Sequence, residues 1–443
     1  MVAAPGYLRL LEGTRLPRVA PVRQRFEVAD AGDPAEAVRR AMAGAECAGR
    51  IRPGMSVALT VGSRGVAALE QLVPAIVSQL RAGGAEPFIV PAMGSHGGAT
   101  AEGQIGVLAK LGITEQSAGC PIRSSMETVE LGRLDNGMPV RIDRFAQEAD
   151  GIVLFNRIKP HTSFRHANES GLVKMLAIGL GKQSGAETCH AWGADCLGPL
   201  IVEMARVKLE RAPVLFGIAT IENACDRLSE VVVLPPEGMI EAERPLLERA
   251  MRNLPRLPLG PLDAPLATGP LDVLVVDEVG KEFAGTGMDP NITGRASTAS
   301  LKLGPDISRI AVLDVSERSA GNANGVARAD VITDRLFDAF DREAVYANCL
   351  TSNTLVSGAL PVAMPDDRSA VLAAIKTCGA RNPDRITLLR IPNSLHLEYL
   401  LASEAMLDSL AARPGIEILG AAEPMEFDGA GNLDHRLWER LHR

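Results

Sequence analysis

Four of the seven histidines in this 443-residue chain, His96, His161, His166 and His190, share one Gly-rich, mostly apolar stretch with Lys174. Imidazole moves protons near neutral pH and also ligates borderline metals. Lys174 stands alone in Gly171-Leu-Val-Lys-Met-Leu-Ala-Ile-Gly-Leu-Gly181. A lysine in such surroundings needs a partner or a depressed pKa, and a neutral amine is a nucleophile; the alternative is a lysine that extends its ammonium to water. His190 follows Cys189, a soft donor, but no H-E-x-x-H or paired carboxylate accompanies it. A zinc hydrolase is therefore not indicated, and a one-histidine metal site requires a non-protein cofactor to supply the other ligands.

The loops around these residues suit ligand binding. In Gly94-Ser95-His96-Gly-Gly-Ala-Thr100 the glycines let backbone amides approach a ligand beside a helix N-terminus, which favours anions. The plainer reading is a tight strand–helix turn. Asn156-Arg157-Ile-Lys159-Pro-His161 presents three cationic or protonatable groups, stiffened by Pro160. His166 suits either a supporting position or the surface. Gly179-Leu-Gly-Lys-Gln-Ser184 resembles a phosphate loop only superficially, because Lys182 is followed by Gln and the first Gly is missing.

Strands and helices alternate beneath these loops. SVALTV (56–61) reads as a strand, residues 66–81 as a helix ending at Gly83-Gly84, and 87–91 as the next strand. Thr100 is a good N-cap for a helix to about Leu111. DGIVLF (150–155) and residues 213–221 read as further buried strands. Such alternation predicts a parallel sheet, whose ligands gather outside the carboxyl ends of strands. Arg64, His96, Lys159, His161 and Glu222 all follow strands, so one rim gathers them. A Pro- and Gly-rich linker at 261–270 separates an N-terminal α/β domain (1–260) from a C-terminal one (271–443). The last segment of the chain is a candidate to pack back on the N-terminal domain. In the second domain 271–277 and 309–315 read as strands, and 331–340 and 366–376 as helices. The polar, Gly-rich loops at 285–295 and 319–325 exceed what a turn needs. The expected fold class is α/β, two α/β domains with mainly parallel sheets and an interdomain active-site cleft.

Composition narrows the function. Net charge is −8 and no basic stripe is interleaved with aromatics, which argues against nucleic acid as a partner. The longest apolar runs are strand-sized, so no membrane span is expected. Seven cysteines without a C-x-x-C read as reduced thiols. With no secretory signal visible at the N-terminus, the expected location is the cytoplasm.

From about residue 50 onward the chain resembles the nickel-dependent lactate racemase family and its 2-hydroxyacid racemase and epimerase relatives. The resemblance is carried by the Arg64 loop, Gly-Ser-His96, Lys-Pro-His161, Lys174 and His190, in the family's order with similar spacings; GKEFAGTGMDPNITGR (280–295) matches an uncharacterised branch. It implies an isomerase that inverts C2 of a 2-hydroxy acid by reversible hydride transfer to a nickel-pincer nucleotide. That cofactor is a pyridinium-3,5-bisthiocarboxylic acid mononucleotide holding nickel, covalently bound through Lys174. By the same resemblance His190 ligates nickel, His96 and His161 are the catalytic acid–base pair, and Arg64, Lys281 and Ser95 contact the cofactor. Arg157, Lys159, His166, Asp289 and Asn291 become substrate contacts. The implied partners are a small 2-hydroxy acid and the cofactor-biosynthesis proteins, with a homo-oligomer left open. The family's D-x-T-R-P is here Val61-Gly-Ser-Arg64-Gly, and its H-R-P is His96-Gly-Gly. These departures point away from lactate towards a larger or more polar hydroxy acid such as a sugar acid. Two other readings stand beside this one: a homologue without the pincer acting as an acid–base dehydratase or hydrolase, and a nickel or nucleotide carrier.

Overall fold

In the computed structural model, residues 6–442 are described apart from 64, 262–266, 299, 300, 302 and 381; of 190, 194, 195 and 351 only the backbone is. The chain forms two compact units, Val28–Leu254 and a second made of Met1–Glu27 with Pro255–Arg443.

The unit Val28–Leu254 holds a five-stranded sheet in the order Glu86–Pro91, Ser56–Val61, Gly151–Arg157, Val214–Glu222, Leu228–Leu234. The first four strands run parallel and the last is antiparallel. Their near-continuous apolar runs fit a sheet covered on both faces, as parallel strands require. Helix Leu69–Ala82 covers one face with Leu72, Val73, Ile76 and Leu80, spaced at three and four residues and all fully buried. Leu172, Leu176 and Ile201 pack among the residues of the other core. Thr100 caps helix Ala101–Lys110, its Oγ accepting the Gly103 N–H at 3.0 Å. Thr128–Arg133 and Pro139–Asp143 add a separate antiparallel hairpin.

The other unit is built on a nine-stranded mixed sheet. Val362–Met364, Val331–Thr333, Asp306–Val315, Pro270–Val279 and Leu388–Ile391 are parallel neighbours in that order. Tyr399–Ser403, Arg18–Gln24 and Ile416–Ile418 continue the sheet with antiparallel pairings.

The domain boundary therefore differs from the expected 1–260. Arg18–Gln24 joins the sheet of the C-terminal unit because it pairs with Tyr399–Ser403, in register Val19 to Ser403. The late segment of the chain meets the same strand, Val22 opposite Ile418. The helix expected over 331–340 opens as the strand Val331–Thr333. Its β-branched residues pair with Ala311 and Val312, and helix Asp334–Ala339 follows. No helix among the described residues is long and apolar enough to cross a membrane.

Candidate functional site

Because Ser56–Val61, Glu86–Pro91, Gly151–Arg157 and Val214–Glu222 run parallel, their carboxyl ends share one rim. Ser63, His96, Arg157, Lys159, His161 and Glu222 all lie on the loops or strand ends of that rim. Ser63 Oγ shares a short hydrogen bond with His96 Nδ1, joining the first two loops. Arg157 donates a short bond from Nη1 to Glu222 Oε2, while Glu222 Oε1 accepts the Ala67 N–H at 2.7 Å. Glu222 thus ties the loop beyond Arg64 to the strand bearing Arg157. Arg64 itself lies outside the described residues. Ser95 sits half-buried next to His96.

The His96 loop is braced from below. Gln104, fully buried, donates to the carbonyls of Gly94 and His96 at 2.9 and 3.3 Å. Lys182, also fully buried, donates from Nζ to Gln104 Oε1 at 3.0 Å and to the Pro91 carbonyl at 2.6 Å, and pairs with Asp143 at 3.2 Å. The lysine that resembled a phosphate-loop residue is in fact an internal strut. Gly103 completes the brace, since a Cβ there would lie 1.8 Å from the Gly97 carbonyl oxygen. Gly103→Ala must push the His96 loop outward. We expect turnover to fall by about 10²-fold, the order that follows a displacement near 1 Å. Steady-state kinetics of a folded variant check this, and unchanged kcat would refute the brace.

Lys174 lies half-buried on helix Leu172–Ala177, which is clamped at both ends. At its N-terminus the buried Glu243 carboxylate accepts the Val173 N–H at 3.0 Å and the Asn168 amide at 3.3 Å. At its C-terminus the fully buried Lys208 donates to the carbonyls of Leu176 and Ala177 at 2.9 and 2.8 Å. In its charged form each clamp complements its end of the helix dipole. Burial pushes Glu243 up to about 7 and Lys208 down to about 7. A Cβ on Gly171 would meet Glu243 Oε2 at 2.5 Å, so a larger residue there would displace the carboxyl that clamps the helix.

Glu243 makes stability depend on pH with a definite sign. Between its ordinary value of 4.5 and about 7, the folded protein keeps a proton that the unfolded chain has released. Its contribution is therefore complete below 4.5 and is lost as pH rises through about 7. Glu243→Gln should remove that slope, so that the stability of wild type relative to the variant falls from pH 5 to pH 8. Thermal melts of both proteins across this range check it, and a gap that stays constant would refute the assignment.

His161 belongs to a loop organised by Glu169, which is only 1 % exposed. Glu169 accepts the backbone N–H groups of His161 and His166 at 2.6 and 3.1 Å and pairs with Arg165 at 3.2 Å. Burial raises the Glu169 carboxyl, opposed by Arg165 and, more weakly, by Lys174. His161 Nδ1 accepts the Ser163 N–H at 3.1 Å, and its ring lies 4.3 Å from that of Phe164. The Lys159 N–H bonds the Ser170 carbonyl at 2.9 Å, closing the loop. His166 accepts the Asn168 N–H and faces Gly198, where a Cβ would come within 2.7 Å of its side chain. That contact makes His166 an anchor of the loop against helix Ala194–Arg211.

The structure therefore brings the His96 and His161 loops and the Lys174 helix into one unit. Gly94 N–H bonds the Gly179 carbonyl at 3.1 Å, and a Cβ on Gly62 would meet Met175 Cε at 3.1 Å, which joins these segments. His190 ends helix Lys182–His190, and its side chain lies outside the described residues. Its neighbour Cys189 is fully buried, and burial pushes the thiol up to about 11, which disfavours the thiolate needed as a metal donor. Among the described residues no group of three or more His, Cys, Asp or Glu could hold a metal ion.

Lys281, Asp289 and Asn291 belong to the other unit. Lys281 Nζ donates to the Gly285 carbonyl at 3.0 Å and to Asn348 at 2.9 Å. Asp289 and Asn291, at 2 % and 1 % exposure, bond each other: Asp289 Oδ1 accepts both the Asn291 backbone N–H and its side-chain amide. In this arrangement they cap the turn Pro290–Thr293.

The supporting residues Gln104, Asp143, Glu169, Lys208 and Glu243 are not marked by any motif in the sequence, and Lys182 is marked only by its superficial likeness to a phosphate loop. Only Glu169 carries a local signal, since it lies eight residues after His161 and three after His166, within reach of both loop amides.

Residues 18–194 match the family model of the lactate racemase N-terminal domain, a span that includes Ser63, His96, His161, Lys174 and His190. No curated protein matches the chain. Among solved structures, the lactate racemase apoprotein from Thermoanaerobacterium thermosaccharolyticum is similar at 14% identity and a TM-score of 0.48. The match covers 84% of this chain and 94% of that one.

Proposed function

The chain is a relative of the lactate racemase family, and from that premise we propose that it is an isomerase inverting C2 of a 2-hydroxy acid. The observation that carries the reading is that the segment of Lys174 is bonded to both histidine loops: the Gly94 N–H to the Gly179 carbonyl at 3.1 Å, the Asn156 amide to the Gly171 carbonyl at 2.8 Å and the Lys159 N–H to the Ser170 carbonyl at 2.9 Å.

The residues fit the family's nickel-pincer nucleotide. A pincer nucleotide brings most of the nickel's donors itself and asks the protein for a tether and few further ligands. Lys174 would hold that group covalently and His190 would give nickel its protein ligand. Bound there, the group supplies an acceptor that takes the α-hydride of the substrate and returns it.

Two bases suit the rest of the reaction, because the two enantiomers present their hydroxyls from opposite sides. One histidine of the pair, His96 or His161, takes the hydroxyl proton as the C2 hydride leaves. The other returns a proton to oxygen when hydride arrives on the opposite face. Ser63, bonded to Nδ1 of His96, fixes the orientation of that ring. Arg157, held by Glu222, and Lys159 are cations suited to the substrate carboxylate. In this reading the partners are a small 2-hydroxy acid and the proteins that make the cofactor.

The test pairs intact mass with turnover. Wild type and Lys174→Ala are made in cells that synthesise the pincer cofactor, then assayed on a panel of chiral 2-hydroxy acids including lactate and sugar acids. A mononucleotide-sized adduct confined to wild type, together with inversion of at least one acid, is the expected result. Absence of adduct from both proteins would overturn the pincer mechanism, and adduct without turnover on any acid would favour a carrier. Activity confined to lactate would refute the preference for a larger or more polar acid.

A further inference from the structure

The segment from Asn432 to Trp438 is tied to Asp277 and Arg390, near the carboxyl ends of strands Pro270–Val279 and Leu388–Ile391, and to Asp367 on helix Asp367–Thr377. Asp277 and Asp367 are buried. The Leu433 N–H donates to Asp367 Oδ2 at 2.9 Å, and Trp438 Nε1 to Asp277 Oδ2 at 2.7 Å. Arg390 Nη2 donates to the Asp434 carbonyl at 3.2 Å, and Arg335 Nη1 to Asn432 Oδ1 at 3.1 Å. Leu433 and Trp438 add apolar anchors in the core of this unit.

His435, half-buried, stands between the two carboxylates. Its Nδ1 lies 3.1 Å from Asp277 Oδ2 and its Nε2 3.4 Å from Asp367 Oδ2. An ionised carboxylate only accepts hydrogen bonds and a neutral imidazole carries one N–H, so only imidazolium serves both sides. Charge balance agrees. Arg390 grips Asp277 with two bonds of 2.7 Å, while Arg335 is shared between Asp314 at 2.6 Å and Asp367 at 3.0 Å. Three carboxylates thus meet two guanidiniums, and a cation at His435 closes the balance. Glu278, half-buried beside Asp277, also feels the charge of His435. On the segment itself, Asp434 pairs with Arg440 at 2.6 Å and with Arg436 at 3.7 Å. Asp277 first, then Asp367, raise His435 from its ordinary 6.5 to about 9.

We propose that residues 432–442 form a strap fastened by the imidazolium of His435, and that the strap loosens as pH rises, uncovering Asp277 and Arg390. The sign follows from the proton. Between 6.5 and about 9 the fastened strap keeps a proton that a loosened one has released. The ratio of fastened to loosened molecules is therefore highest below 6.5 and falls by up to about tenfold per pH unit until about 9. Loosening opens the end of the parallel strands outside which ligands of such sheets gather. Every residue named lies outside Val28–Leu254, so the inference stands apart from the proposed racemase chemistry.

Hydrogen–deuterium exchange of the full chain, read by mass spectrometry from pH 6 to pH 9, tests this, because exchange registers openings that are rarely populated. After correction for intrinsic rates, peptides covering 432–442 should lose protection by up to about tenfold per pH unit above 6.5. Peptides of Arg18–Gln24 and Asp306–Val315, in the same unit, should keep theirs. His435→Gln keeps a polar side chain without the charge; its 432–442 peptides should be about tenfold or more less protected at pH 6 and indifferent to pH. The wild-type profile stands without the variant. Protection over 432–442 that does not change with pH, a loss spread evenly over the unit, or a pH dependence retained in His435→Gln would each overturn the proposal.

Discussion

Replacing His96 or His161 by alanine is expected to lower racemisation about 10²–10⁴-fold while leaving any covalent adduct on Lys174 in place. Both variants should lose turnover in both directions. The ratio of forward to reverse kcat/KM equals the equilibrium constant, which is one for a pair of enantiomers and fixed for a pair of C2 epimers, and cannot be shifted by mutation. The two variants should differ in half-reaction. If each base serves one enantiomer, His96→Ala still removes proton and hydride from the enantiomer served by His161, and the converse holds for His161→Ala. A single-turnover experiment that traps the keto acid with a hydrazine, run on each pure enantiomer, separates them. Opposite enantiomer preferences in the two variants would support paired bases. Keto acid from both enantiomers in either variant would show that one base suffices, and unimpaired turnover in either variant would remove that histidine from the chemistry. A carrier would keep its adduct in both variants with no turnover to lose. Ser63→Ala gives a milder control, because it removes one hydrogen bond from the His96 ring and keeps the ring.

The parts of this arrangement legible in the sequence are those set by local rules. SVALTV matches the strand Ser56–Val61 because a parallel strand buried on both faces must be apolar throughout. Thr100 marks its helix because only a short polar side chain can take up the free N–H of Gly103 there. His96, His161 and Glu222 could be placed on one rim because strand–helix alternation sets the direction of every strand. Arg18–Gln24 was out of reach for the opposite reason: its partner Tyr399–Ser403 is separated by most of the chain, and pattern carries no information about pairing at that distance. The buried charges escape in a different way. Glu243 sits in MIEAERPLLERAMR and Lys208 in a run ending MARVKLER, where other charges on the same helices face water. Periodicity marks these helices as amphipathic but does not say that one carboxylate and one ammonium turn inward to clamp a neighbouring helix. Lys182 is the sharpest case, since Gly-Leu-Gly-Lys resembles a phosphate loop only superficially and the structure buries that lysine completely as a strut.

Lys182→Met is expected to destabilise the protein by about 3–5 kcal/mol, the largest stability effect available near the site. The substitution matches the side chain in length, so little is lost in packing; the loss is in partners. Asp143, wholly buried, would keep the Ala146 N–H at 2.9 Å but lose its cation. The Pro91 carbonyl and Gln104 Oε1 would each lose a donor in the interior. Because Gln104 also holds the carbonyls of Gly94 and His96, turnover should fall along with stability. The pH dependence identifies the cause. Burial raises the Asp143 carboxyl even with Lys182 beside it, and without that ammonium it rises further. The variant can then relieve part of its penalty by taking up a proton, so its deficit against wild type should shrink as pH falls from 8 to 5. Adding Asp143→Asn removes the orphaned charge and should recover a good part of the loss, giving a coupling that a double-mutant cycle measures. Urea unfolding of the four proteins at both pH values decides the matter. A single-variant loss below about 1 kcal/mol, or a double variant no more stable than Lys182→Met alone, would mean that the pair is not the strut beneath the His96 loop.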